Sequence, residues 1–70
     1  MKWVPVESSV FDAVAYSSGN HLLCLRFRSG AVYCYFDFPV TQYREFLSGD
    51  WLGRYFGRKI RDRFRFRKVR

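Results

Sequence analysis

Seventy residues, 21% of them aromatic, with a net charge of +7, leave room for one modest core and no second domain, since so short a chain buries only about 60% of its extended-chain surface. The 49% hydrophobic content points to a globular chain rather than a disordered one, and no run approaches the roughly 18 apolar residues of a membrane span. The opening MKWVPVESS lacks the apolar stretch of a secretory signal, so a cytoplasmic location is expected.

Residues 1–9 read as an extended N-terminal arm, in which Trp3 caps an edge of the core and Pro5 rules out a central strand. Val10 to Tyr16 is rich in β-branched and aromatic residues and is followed by Ser17-Ser18-Gly19-Asn20, so it reads as a first strand and a turn. Its inward face stays open: Val10, Val14 and Tyr16 alternate with Phe11, Ala13 and Ala15, and both sets are apolar. Asp12, on the Val10 side, points to a covered sheet edge there.

His21 to Phe36 carries the pattern of a β-hairpin around Ser29-Gly30, with the glycine supplying the positive φ of a tight turn. A two-residue loop sets Arg28 opposite Ala31, Leu25 opposite Cys34 and Cys24 opposite Tyr35. One face is then Leu23, Leu25, Phe27, Val32, Cys34 and Phe36, the expected core. The other holds Cys24, Arg26, Arg28, Ala31, Tyr33 and Tyr35. In that register Cys24 and Cys34 lie on opposite faces and are expected to stay reduced, and with the lone His21 they offer no closely spaced pair of metal ligands.

Pro39 suits a helix start, and Val40, Tyr43, Phe46 and Leu47 recur at helical spacing before Gly49, which reads as a C-terminal cap. Asp50 is placed to cap a second helix. Trp51 to Arg61 gathers Leu52, Tyr55, Phe56 and Ile60 on one side and Arg54, Arg58 and Arg61, with Arg65 in line, on the other. Beyond Asp62 the period changes to two, so the tail is expected to be extended, with Phe64 and Phe66 pointing one way and Arg63, Arg65 and Arg67 the other, and to pair with a sheet edge. The expected architecture is a single α+β domain over 1–70: a three-stranded antiparallel meander, two helices and a basic extended tail over 62–70.

The charge is unevenly placed. Met1 to Gly53 carries four basic and five acidic side chains, whereas Arg54 to Arg70 carries nine basic ones against Asp62 alone. Arginine outnumbers lysine ten to three, and arginine is the residue suited to bidentate phosphate contacts and stacking. Such a footprint belongs to a polyanion binder. Catalysis has no comparable signature: there is one histidine, no glycine-rich phosphate loop and no nucleophile paired with a base. A non-enzymatic chain without cofactors is expected.

The order of landmarks Ser8-Ser9, Tyr16, Phe27, Ser29-Gly30, Tyr33-Cys34-Tyr35, Pro39, Gly53, Tyr55-Phe56 and Ile60-Arg61 resembles the KTSC domain. That family takes its name from a C-terminal extension of some lysyl-tRNA synthetases, occurs also as stand-alone bacterial proteins, and has a central tyrosine-x-tyrosine. The resemblance implies RNA binding, through the association with a tRNA synthetase, and carries over Tyr33, Tyr35 and Arg61. The chain departs from the family pattern at Trp51, where a small polar residue is expected, and in its heavier arginine tail.

The function expected from residues and resemblance together is RNA binding, tRNA-like or single-stranded, ahead of DNA. Tyr33 and Tyr35 would stack bases, Arg26 and Arg28 flank them, and Arg54, Arg58, Arg61 and Arg65 grip phosphates. A module that docks on a synthetase or another protein partner is the alternative, because exposed tyrosine and arginine also anchor protein interfaces.

Overall fold

A computed structural model describes all 70 residues, Met1–Arg70. Five antiparallel strands form one sheet in sequence order: β1 (Val4–Pro5), β2 (Phe11–Ser17), β3 (Leu22–Phe27), β4 (Val32–Tyr35) and β5 (Phe66–Lys68). Helix α1 (Val40–Ser48) and helix α2 (Leu52–Tyr55) lie between β4 and β5 in the chain, and α2 runs directly into a π-helical turn at Phe56–Ile60. The α+β class and the two helical segments match expectation. The sheet has five strands rather than three, because the arm and the tail each add an edge strand. No helix is long and apolar enough to cross a membrane.

The hairpin corrects the expected register by one residue. Phe27 N–H donates to the Ala31 carbonyl at 2.9 Å and Gly30 N–H to the Phe27 carbonyl at 2.9 Å, so the loop is Arg28-Ser29-Gly30. Gly30 takes φ +95°, the conformation that lets a three-residue loop close with a bulge. Leu23 then pairs with Tyr35, Cys24 with Cys34, Leu25 with Tyr33 and Arg26 with Val32. A slip of one residue moves a strand's side chains to the other face. Leu23, Leu25 and Phe27 therefore share the helix-covered face with Tyr33 and Tyr35. Val32, Cys34 and Phe36 do not join them, contrary to expectation.

The same register joins the cysteines. Cys24 and Cys34 form a disulfide, their Cα atoms 4.1 Å apart, on the face turned away from the helices. The expectation that they stay reduced on opposite faces is overturned. Beside them on that face Arg26 stacks over Trp3, its guanidinium carbon 4.9 Å from the ring centroid.

A second irregularity settles β2. Phe11 pairs with Phe27 and Ala13 with Arg26, so the register shifts at Asp12. The extra residue reverses the alternation, and Phe11, Val14 and Tyr16 all turn toward the helices while Ala13 and Ala15, also buried, turn to the opposite face. This division matches neither alternating set of the sequence. The core comprises Phe11, Val14, Leu23, Leu25, Tyr35, Phe38, Phe46, Leu52 and Ile60. Phe11 is its centre: its ring lies 4.8 Å from Phe27, 6.1 Å from Phe46 and 5.5 Å from Phe56. Large side chains of this kind contribute about 1.5 to 3 kcal/mol each when buried.

Neither helix uses the expected caps. Gly49 follows α1 at φ −80°, an extended conformation open to any residue, and Trp51 rather than Asp50 stands at the start of α2 with no side-chain cap. Packing holds α2 in their place. A Cβ on Gly53 would meet Val10 Cγ2 at 2.6 Å, so the glycine lets the helix backbone rest on that side chain.

Candidate functional site

Two surfaces draw on the residues singled out by sequence, and the π-helical turn separates them. At its end Arg61 N–H donates to the Phe56 carbonyl at 2.8 Å, five residues back instead of four. A π turn inserts one residue per turn relative to an α-helix, and Arg61 itself is extended at ψ 131°. Arg61 thus leaves the band in which α-helical spacing places it with Arg54 and Arg58. Arg65 leaves it as well, pairing with Asp37 at 3.3 Å and covering the Phe36 ring from 5.4 Å.

The first surface is what remains of the arginine ridge. Arg54, Arg58 and Lys59 share a shallow depression with Trp51 and Tyr55. Trp51 is 66% exposed, and Arg54 lies over its ring with the guanidinium carbon 5.4 Å from the centroid. Sequence reasoning noted Trp51 as a departure from the family pattern and assigned it no role. The legible signal is that departure itself, a tryptophan where the family pattern has a small polar residue. Tyr55 is held beneath by a hydrogen bond to Glu45, and burial first, with that bond second, raises its pKa to about 12.

The second surface is a groove of about 700 Å³ between the end of the β3–β4 hairpin, β5 and the π-helical turn. Tyr33, Tyr35, Phe56, Arg61, Asp62 and Phe66 line it, with Ser29 at the hairpin loop. The two tyrosines and Arg61, which the resemblance carries over, meet here although they come from separate elements. Tyr33 is half-buried and tilts against Phe66, centroids 5.8 Å apart. Tyr35 is only 4% exposed, covered by Phe56 at 5.8 Å and Phe66 at 5.7 Å. Its ring is therefore closed to stacking, which corrects the expected two-tyrosine platform.

The hydroxyl of Tyr35 is a different matter. Neither it nor that of Tyr33 hydrogen-bonds within the chain, and no enclosed side-chain nitrogen or oxygen lacks a partner, so both hydroxyls retain contact with solvent. Burial raises the Tyr35 pKa to about 12, with the neighbouring Tyr33 and Asp62 also raising it and the Arg61 charge opposing them. Arg61 and Asp62 are thus close enough for their charges to act on that hydroxyl. Neither is in an ion pair; the two pairs of the chain are Arg28 with Asp12 at 3.8 Å and Arg65 with Asp37.

The remaining expected residues are not brought to either surface. Arg26 lies on the opposite face of the sheet from Tyr33 and Tyr35, against Trp3. Arg28 is tied to the N-terminal segment, its Nε donating to the Ser8 carbonyl at 2.6 Å. Their flanking role fails for one reason, the one-residue register slip. Phe66 and Asp62 complete the groove; in sequence Phe66 is a member of the alternating tail and Asp62 is the lone acid at its start.

A model of the KTSC domain matches residues 7–64. The chain belongs to the KTSC domain family. The matched span includes the helices and the π-helical turn and stops short of β5 and the last arginines. A protein of Tsukamurella paurometabola is 36% identical over 61 residues, covering 87% of this chain and 91% of that protein. The crystal structure of a KTSC domain protein from Yersinia pestis shares 30% identity at a TM-score of 0.95, covering 99% of this chain and 97% of that one. The edge strands thus lie within the KTSC domain architecture shared with that structure.

Proposed function

We propose that this KTSC domain is a non-enzymatic RNA-binding module, acting in the cytoplasm on single-stranded or tRNA-like RNA ahead of DNA. The observation that carries the reading is the state of the C-terminal cations. All nine basic side chains between Arg54 and Arg70 are exposed, and Arg65 alone of them has a carboxylate partner. Cations left without carboxylate partners are available to phosphates, and displacing counterions from a strand drives binding. Trp51 supplies an exposed ring beside Arg54, Arg58 and Lys59, the combination of stacking surface and charge that suits an unpaired strand.

The test is fluorescence anisotropy of a labelled single-stranded RNA. With about four phosphates neutralised, affinity is expected to fall about 50-fold between roughly 50 and 200 mM salt. The Arg54→Glu, Arg58→Glu double variant, which removes two of those contacts, should roughly halve the salt slope and remove most of the binding. Equal affinity for the variant and the parent chain would reject the ridge as the binding surface.

Docking on an acidic protein partner, such as a synthetase, is the second reading. It draws on the same exposed Trp51, since tryptophan and arginine are favoured interface anchors. Purification from cells separates the two: nuclease treatment removes an RNA partner and leaves a protein partner bound.

A further inference from the structure

The groove between the hairpin and the π-helical turn offers chemistry that the ridge does not. One wall is Phe66, 54% exposed, its ring tilted 47° from that of Tyr33, so that one aromatic face is open to solvent with a second ring beside it. Tyr33 and Tyr35 line it, and neither hydroxyl has a hydrogen-bond partner within the chain. Its rim carries one cation, Arg61, and one carboxylate, Asp62, and neither is in an ion pair. Asp62 is the sole acid among the last seventeen residues, yet it is not neutralised by any of the nine bases around it. It follows the π turn at φ +64°, which separates its backbone course from that of Arg61.

These groups select among occupants. An aliphatic ligand would use none of the charged or hydroxyl groups and would gain only what partial burial in so open a groove returns. A bare phosphate would use Arg61 alone and leave Asp62 and the apolar wall unused. A nucleotide meets all of them: a flat ring for Phe66 and Tyr33, a donor edge for Asp62 and a phosphate for Arg61. Among bases, a carboxylate that can only accept is best matched by guanine, whose N1–H and N2–H are adjacent donors. Adenine, cytosine and uracil each present a single donor group on that edge.

The geometry points to a pocket for one extruded guanine nucleotide, its base against Phe66 and Tyr33, its Watson–Crick edge on Asp62 and its phosphate at Arg61. That the nucleotide comes from an RNA strand rests on the function proposed above; the pocket itself does not.

The experiment is an amide NMR titration of the full chain with 5′-GMP, AMP, CMP and UMP, run beside the anisotropy assay with single-stranded RNA. GMP is expected to shift Tyr33, Asp62 and Phe66, with affinity about tenfold above the other three, the discrimination of one two-donor contact. Asp62→Asn, which suits the left-handed backbone at that position, should remove the preference for GMP while the core amides stay in place. Phe66→Ala should weaken all four nucleotides alike. Equal affinity for the four, an unaltered preference in Asp62→Asn, or shifts confined to Trp51, Arg54 and Arg58 would each overturn the pocket. RNA binding without any groove response overturns the pocket and leaves the RNA reading standing. GMP binding without RNA binding supports the pocket and removes its proposed source.

Discussion

Cys24 and Cys34 sit directly opposite each other on β3 and β4, bonded across the sheet on the face away from the helices. The bond closes the hairpin around a loop of sequence separation 10. Its expected effect is to restrict the unfolded chain, because the core packs on the opposite face of the sheet. The Cys24→Ala, Cys34→Ala double variant, or the reduced parent, is expected to lose about 2 kcal/mol while keeping its fold. Urea unfolding with and without reductant measures the loss, and an unchanged midpoint would mean that the bond adds nothing to the register. In a reducing compartment such a bond is held open, so the reduced form is the one to use when testing a cytoplasmic RNA partner.

Gly53 and Gly57 stand one helical turn apart and should respond in opposite directions. Alanine at 53 would drive its Cβ to 2.6 Å from Val10 Cγ2, and Val10 lies where the chain enters β2, its carbonyl bonded to Arg28 N–H at 2.9 Å. The expected cost of Gly53→Ala is about 1 to 3 kcal/mol, the usual penalty of overpacking. Nothing lies within 4 Å of a Cβ at Gly57, so Gly57→Ala should be neutral or stabilising by up to about 1 kcal/mol. Thermal unfolding of the two variants side by side decides it; an equal loss in both would locate the cause in helix backbone rather than in the Val10 contact.

The buried Tyr35 gives the protein an alkaline limit. Its folded-state pKa, about 12, lies above the ordinary value near 10. The folded chain therefore holds its phenolic proton where the unfolded chain has released it, and linkage makes stability fall as pH rises from about 10 to about 12. Tyr55, also raised to about 12, acts in the same direction. Denaturation midpoints across that window should decline in the parent chain and decline less in Tyr35→Phe. Phenolate absorbance should show one fewer late-titrating group in that variant. A decline that Tyr35→Phe leaves unaltered would assign the effect elsewhere.

The elements themselves were legible because each rests on local pattern. The helical spacing of Val40, Tyr43 and Phe46, the β-branched and aromatic runs of β2 to β4, the change to period two after Asp62 and the loading of arginine into the last quarter are all properties of neighbouring residues. Family membership was legible for a related reason: Tyr33, Tyr35, Gly53 and Arg61 keep their order along the chain whatever their contacts.

Which residues share a face was decided only in three dimensions, at three places where one residue alters the count. The loop takes three residues instead of two, which brings Cys24 opposite Cys34 and turns Tyr33 and Tyr35 toward the helices. The bulge at Asp12 puts Phe11 and Val14 on one side. The π turn carries Arg61 away from Arg54 and Arg58 and into the groove. Packing settles each choice: in this combination of registers Phe11, Tyr35, Phe46 and Ile60 fill one core. Because strand side chains alternate with a period of two, no intermediate arrangement exists. The sequence by itself therefore determined β2 to β4, the two helical segments and the charge, and the tertiary packing determined the edge strands and which aromatic rings and which arginine meet.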